Sequence, residues 1–211
     1  MRLFVALEVP DPVKVVVKRS VARWEQRLPP ARWVRPESLH LTLAFLGETG
    51  RERLPVLHEA LMRACGKVSP FSLRVEGGGT FPPKRPARSA WLGVREIPRA
   101  SPPPAGDRRR QPLPPGDGSE GRLVCLAKGI QEALREAVGY QPDPRPYRPH
   151  LTLARSKKPW PRRAVEHFRE LSEGFGSEPF DVLSCVLMES TLTSSGARYR
   201  TVEEFSLGGE P

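Results

Sequence analysis

The pentapeptide His-Leu-Thr-Leu-Ala occurs twice in this chain of 211 residues, at 40–44 and again at 150–154. The second copy begins 110 residues after the first, and the whole chain contains four histidines. Five matched positions on that background indicate an internal duplication rather than chance. The chain must therefore fold into two halves of similar structure that each present one copy of the motif.

Each copy has the alternation of a β-strand, in which successive side chains point to opposite faces. His40 and Thr42 therefore share one face, and the leucines that follow each of them share the other, where they can enter a core. The same holds for His150 and Thr152 in the second copy. Two such strands related by a pseudo-twofold axis would bring two imidazoles and two hydroxyls around one cleft.

Strand-like runs alternate with amphipathic segments on both sides of residues 99–121. Apolar residues at three- and four-residue spacing predict helices over residues 12–27, 51–65, 121–138 and 161–172. Strands separated by helices, in two parts of similar content, predict an α+β fold with two lobes of sheet and helix. We expect residues 1–211 to form a single bilobed domain.

Residues 99–121 interrupt this pattern, because they are dense in proline, glycine and charged side chains and have no apolar periodicity. Such a composition predicts a disordered insertion. The arginine triplet at 108–110 is compatible either with an RNA contact or with a solvated loop.

The charge and the cysteines set the expected environment. The formal net charge of +10 fits a polyanionic partner, although a solvated surface of an arginine-rich protein explains it equally well;. Cys65, Cys125 and Cys185 include no Cys-x-x-Cys pair, and no apolar run approaches the roughly 20 residues of a membrane helix;. We expect a cytoplasmic monomer with no membrane association.

Two histidines and two threonines suit the in-line hydrolysis of a phosphodiester. A base takes a proton from the attacking water, and an acid on the far side of phosphorus protonates the leaving oxygen. Threonine hydroxyls can donate hydrogen bonds to the non-bridging oxygens. A strained 2′,3′-cyclic phosphate is an easier substrate for this set than an open diester.

Other chemistries are less well supported by the residues. The nearest acids to the motifs are Glu37 and Asp143, without zinc-ligand spacing, so no metal and no cofactor are expected;. The chain has no Gly-x-Ser-x-Gly motif for a nucleophilic serine. His58 and His167 lie in predicted helices and are expected to be half-buried or surface residues. Strand alternation places Phe45 with the leucines, in the core.

The sequence resembles the 2H phosphoesterase superfamily, specifically its RNA 2′,3′-cyclic phosphodiesterases, also called 2′-5′ RNA ligases. The similarity covers nearly the whole chain and includes RLFVALEVP at the start, RWVRPESLHLTLAFLGE at 32–48, GGGTFPPKRPARSAWLGV at 77–94, YRPHLTLAR at 147–155 and ESTLTSSGARYRTVEEFSL at 189–207. It implies a cleft between two antiparallel sheets and hydrolysis of a terminal 2′,3′-cyclic phosphate to a 2′-phosphomonoester. RNA ends or small cyclic-phosphate nucleotides would be the partners.

The resemblance also implies individual roles. His40 would protonate the leaving 3′ oxygen, His150 would accept a proton from water, and Arg155 would contact phosphate. The residues alone support the pair of histidines without orienting it. Strand alternation places Arg155 on the face away from His150, unless the strand bends at its end.

Three questions stay open at this point. A non-catalytic module that binds RNA ends would use the same cleft, although two complete motifs favour an enzyme. A different small phosphodiester, such as a cyclic ADP-ribose phosphate or an oligoadenylate, would fit the same chemistry. Whether ligation of 2′-5′ RNA ends matters in the cell is also left open.

Overall fold

The structure is a computed structural model, and it describes residues 1–83, 86–98, 121–193 and 196–208. Of the insertion predicted at 99–121, only Gly121 belongs to these residues. The arginine triplet at 108–110 lies outside them, so its role stays a prediction.

The described residues form nine strands and four α-helices. The strands are β1 (Arg2–Glu8), β2 (Arg32–Trp33), β3 (His40–Glu48), β4 (Phe71–Phe81), β5 (Ala87–Ile97), β6 (His150–Trp160), β7 (Phe180–Val182), β8 (Ser184–Thr193) and β9 (Gly196–Ser206). The helices are α1 (Asp11–Glu25), α2 (Leu54–Gly66), α3 (Arg122–Val138) and α4 (Arg162–Glu173). All four predicted helices are present, and the α+β class is confirmed.

The start of α2 differs from the prediction for a local reason. Residues Arg51–Arg53 form a turn of 3-10 helix, and the α-helix begins only at Leu54. Pro55 lies in the first turn of α2, where its missing N–H removes no helical hydrogen bond and its fixed φ favours helix initiation;. The helix therefore begins where the proline is best tolerated.

The strands form one antiparallel sheet in the order β7-β4-β5-β6-β3-β1-β8-β9, with β2 added beside β6. The two motif strands, β3 and β6, are central and pair through a single residue pair, Leu41 with Leu151. These leucines hold the same position in the two pentapeptides. The pseudo-twofold axis expected from the repeat therefore passes between them, and the two expected sheets are half-sheets joined at this pair.

The two repeats exchange strands. Each repeat has the order β-α-β-α-β, which is β1-α1-β3-α2-β4 in the first and β5-α3-β6-α4-β8 in the second, when the short β2 and β7 and the final strand β9 are left aside. The last strand of the first repeat, β4, pairs with β5 of the second, and β8 pairs with β1 of the first. Each half-sheet therefore contains strands from both repeats.

Helices cover the face of the sheet opposite the histidines. Helix α2 packs against α3 and β9, while α4 packs against β4 and β5. Trp24 of α1 makes an edge-to-face contact with Phe168 of α4, and both are buried. None of the helices in the described ranges is long and apolar enough to cross a membrane.

Candidate active site

The two motif strands present their side chains as the alternation predicts over their first four positions. The leucines are at most 2% exposed and belong to the core: Leu41, Leu43, Leu151 and Leu153. The histidines and threonines are half-buried on the opposite face. Burial of the leucines fixes the strands from behind, and this fixes which groups face the cleft.

Each catalytic candidate histidine is held by a backbone carbonyl two residues before it. His40 Nδ1 lies 2.8 Å from the carbonyl oxygen of Ser38, and His150 Nδ1 lies 2.7 Å from that of Arg148. A carbonyl only accepts hydrogen bonds, so Nδ1 of both rings donates and carries the proton in the neutral form. Nε2 is then the nitrogen of each ring that can exchange a proton with a substrate.

Aromatic side chains from neighbouring strands flank both imidazoles. The ring of His40 lies 4.8 Å from that of Phe4 and 4.9 Å from that of Tyr199, the latter at an interplanar angle of 82°. The ring of His150 lies 5.1 Å from that of Phe81 at 81° and 6.1 Å from that of Trp91. These rings restrict the rotation of each imidazole and remove it partly from water.

Burial lowers the pKa of both histidines below the ordinary value of 6.5;. The hydrogen bonds to the backbone carbonyls of Ser38 and Arg148 act in the opposite direction and raise each pKa. The positive charge of Arg155 lowers the pKa of both rings further, and that of His150 also lowers the pKa of His40. Arg155 is therefore electrostatically close to both histidines.

A β-bulge occurs at the same place in both motifs. Ala6 of β1 faces Thr42 and Val5 faces Ala44, which leaves Leu43 as an extra residue on β3. On β6, Leu153 is the equivalent extra residue, because Trp91 of β5 faces Thr152 while Ala90 faces Ala154. A bulge puts two successive residues on one face of the strand.

The bulges reverse the alternation beyond the fourth motif position. Leu43 and Ala44 are both buried, so Phe45 returns to the face of His40 and is 47% exposed. The prediction that Phe45 packs in the core is therefore wrong. By the same shift Arg155 turns to the face of His150 and is exposed in the cleft, so the objection from strand alternation does not hold.

A cavity of about 600 Å³ opens on the His40 side of the cleft. Its walls come from β1, β2, β3, β6 and the β8–β9 hairpin, and they include His40, Thr42, Phe45, Arg155 and Tyr199. Neither His150 nor Thr152 lines it. This cavity has room for a drug-sized ligand next to His40.

Two contacts fix the motif strands relative to each other. The Tyr147 hydroxyl donates a hydrogen bond of 3.0 Å to the carbonyl oxygen of Thr42, and it connects the segment before β6 to β3. The Val34 N–H donates a hydrogen bond of 2.7 Å to the carbonyl oxygen of Leu153, beside the bulge of β6. Both contacts support the backbone at the point where the active-site face is formed.

The remaining histidines lie on α2 and α4, as predicted, and are half-buried. His58 Nδ1 lies 2.6 Å from a carboxylate oxygen of Glu203, and His167 Nδ1 lies 3.5 Å from one of Glu170. Across the parts of the chain that the structure describes, no three His, Cys, Asp or Glu side chains gather as a set of metal ligands.

Several residues of the site were not identified from the sequence. The aromatic rings of Phe4, Phe81, Trp91 and Tyr199 come from strands far from the motifs along the chain, and Arg32 comes from the short β2 just before β3. The signal for them was present in the segments on which the family resemblance rests, since each of the five lies in one of those segments.

The family described as LigT-like phosphoesterase matches residues 7–91 and 120–199. An Archaeoglobus fulgidus protein named RNA 2′,3′-cyclic phosphodiesterase is 32% identical over 97% of this chain and 99% of its own length. A Thermus thermophilus protein of the same name is 32% identical over 100% of this chain and 92% of its own. The crystal structure of the Thermus thermophilus protein TT0787 superimposes with a TM-score of 0.71 at 28% identity, over 100% of both chains.

Proposed function

This chain belongs to the LigT-like phosphoesterase family and is a hydrolase, and we propose that it opens terminal 2′,3′-cyclic phosphates of RNA to 2′-phosphomonoesters. We further propose that His40 and His150 perform the reaction as an acid and a base without a metal ion. The names of the relatives support the substrate class, and the geometry of the cleft supports the mechanism.

One observation carries the proposal. Both imidazoles donate from Nδ1 to a backbone carbonyl, so both turn the same nitrogen, Nε2, toward a substrate between them. An in-line displacement needs one proton acceptor and one proton donor on opposite sides of phosphorus. Two identical groups related by a pseudo-twofold axis meet this requirement when one is neutral and the other is protonated.

The cavity beside His40 supports a direction for the reaction. The nucleoside of a cyclic phosphate lies on the side of the leaving 3′ oxygen, and the attacking water lies on the opposite side. The cavity of about 600 Å³ beside His40 has room for a nucleoside, whereas His150 lies outside it. This supports the role of His40 as the acid and of His150 as the base.

His150 Nε2 takes a proton from water as the water oxygen bonds to phosphorus. The bond from phosphorus to the 3′ oxygen breaks, and His40 Nε2 gives that oxygen a proton. Thr42 and Thr152 donate hydrogen bonds to the non-bridging oxygens, and the charge of Arg155 stabilises the negative charge that builds up there.

The test is the hydrolysis of an RNA oligonucleotide with a 2′,3′-cyclic phosphate end, in EDTA and with product analysis. Each of the changes His40→Ala and His150→Ala should lower kcat by about 10²–10⁴, and the double change should cost less than the product of the two. Thr42→Ala and Thr152→Ala should cost less than either, because each removes one neutral hydrogen bond.

Full activity of either histidine variant would contradict a shared site. Activity that is lost in EDTA and restored by one divalent ion would contradict a metal-independent mechanism. A 3′-phosphate product would mean that the acid and base act on the opposite ester oxygen, so that the 2′ oxygen is the one that leaves.

A further inference from the structure

The cavity beside His40 contains more positive charge than one phosphate requires. Four arginines line it, namely Arg2, Arg32, Arg35 and Arg155, and no carboxylate among the described residues does so. Of the four, only Arg155 contributes to the lowered pKa of His40 and His150. Arg155 therefore lies at the histidines, and we call the part of the cavity around Arg2 and Arg32 the distant zone.

Arg2 is held in the distant zone by an aromatic ring. Its guanidinium carbon lies 5.1 Å from the centre of the Phe45 ring, a cation-π contact;. The ring of Phe4 lies between Phe45 and the imidazole, at 6.4 Å from the former and 4.8 Å from His40. Arg2 is thus separated from the reacting phosphate by a layer of aromatic side chains.

Arg32 reaches the same zone from β2. It faces Arg155 in the antiparallel pair of β2 and β6, an arrangement of like charges that is unfavourable without an anion nearby;. Its guanidinium extends to the β8–β9 hairpin, where it lies against Gly196. A side chain at position 196 would occupy this space, so the glycine permits the approach of Arg32.

We propose that Arg2 and Arg32 bind the phosphodiester on the 5′ side of the terminal nucleotide and so make the enzyme selective for oligonucleotides over cyclic mononucleotides. This inference rests on the proposed function. When the cyclic phosphate lies at the histidines and its nucleoside fills the cavity, the next phosphate of the RNA leaves through the distant zone. A cyclic mononucleotide has no phosphate there.

Guanidinium groups suit this role for two reasons. Their planar donors match two oxygens of a phosphate at once, and they remain charged at every physiological pH. A phosphate contact of this kind also makes binding depend on salt, with a contribution of about 0.7 to the slope of log K against log salt for single strands.

The experiment compares three substrates that all end in a 2′,3′-cyclic phosphate. They are adenosine 2′,3′-cyclic phosphate, the diadenosine with a natural phosphodiester, and the same diadenosine with an uncharged methylphosphonate linkage. The wild-type protein should hydrolyse the phosphodiester dinucleotide with a kcat/KM about tenfold above that of the methylphosphonate dinucleotide. A tenfold difference is what the loss of about one charge-assisted hydrogen bond would produce.

Variants locate the effect. Arg32→Gln and Arg2→Gln should each bring the ratio of kcat/KM between the phosphodiester and the methylphosphonate dinucleotide closer to one. Each should also lower the slope of log K against log salt for the phosphodiester dinucleotide. Arg32→Lys keeps the charge but lacks the paired donors of the planar guanidinium, so it should retain part of the kcat/KM ratio. Arg163→Gln, on the exposed surface of α4, removes the same charge far from the cavity and should leave the ratio unchanged.

The outcomes separate this inference from the proposed function. No hydrolysis of any of the three substrates would refute the proposed function. Hydrolysis of all three with equal kcat/KM for the two dinucleotides would refute only the second phosphate site. An unchanged ratio in both Arg32→Gln and Arg2→Gln would show that other residues bind this phosphate.

Discussion

The pair formed by Leu41 and Leu151 joins the two half-sheets, and truncating it should affect both stability and catalysis. The two side chains are 2% and 1% exposed, so neither can be shortened without opening a cavity. A buried Leu→Ala change costs about 2–5 kcal/mol, as lost apolar burial plus the cavity left behind. We expect Leu151→Ala to lower the free energy of unfolding within that range.

The effect on catalysis follows from the position of the pair, one residue beyond each histidine along the strands. Loss of packing behind the motifs lets β3 and β6 shift relative to each other, and a misplacement of about 1 Å can cost about 10²-fold in rate. We therefore expect kcat of Leu151→Ala to fall by about tenfold or more, with the protein still folded.

The assay is urea denaturation together with steady-state hydrolysis of a cyclic-phosphate RNA end, at a temperature where every variant is folded. Leu61→Ala is the matched control, because Leu61 of α2 is 0% exposed but lies outside the pair that joins the motif strands. It should lose similar stability and keep its kcat. Equal kcat values for Leu151→Ala and Leu61→Ala would refute the idea that this pair holds the histidines in register.

Two further predictions concern charge and thiols. Arg155→Gln removes a positive charge that lowers the pKa of both histidines, so the pKa of each should rise. Both limbs of the pH profile of kcat/KM should then move to higher pH, and kcat should fall by about 10²–10³. Limbs that stay in place would show that the charge of Arg155 does not act on the histidines. Cys65 and Cys185 are buried with their sulfurs 2.8 Å apart, and the contact with Cys65 together with burial raises the pKa of Cys185, whereas Cys125 is exposed. A thiol reagent should therefore label one cysteine in the folded protein and three after denaturation with a reductant, and rapid labelling of three in the folded protein would contradict the burial of Cys65 and Cys185;.

The sequence predicted the fold class and the inner face of the site because both depend on short periodicities. The helices follow from apolar spacing, and the alternation within each pentapeptide correctly placed Leu41 and Leu151 in the core with the histidines opposite. The face predicted from strand alternation was wrong beyond the fourth residue of each motif, at Phe45 and Arg155. A bulge inserts one residue without any compositional mark, and the small alanine that ends each pentapeptide fits either face.

The partners of the site could not be predicted from local pattern at all. Phe4 and Tyr199 meet at His40 from opposite ends of the chain, because β8 and β9 return to pair beside β1. Arg32 lies in a strand of two residues that has no periodicity of its own. Such contacts depend on the strand order of the sheet, which two similar halves leave undetermined.

The exchange of strands between the repeats has a consequence for the origin of the molecule. A chain with one repeat alone could not complete its half-sheet, because a strand beside β1 or β5 comes from the other repeat. Its exposed edge would invite association with another chain. Two identical copies that swap their last strands would complete each other's half-sheets. They would also place one histidine from each subunit around a symmetric cleft. The duplicated chain thus corresponds to a domain-swapped homodimer joined into one polypeptide, in which Phe45 and Arg155, at equivalent positions of the two repeats, can differ.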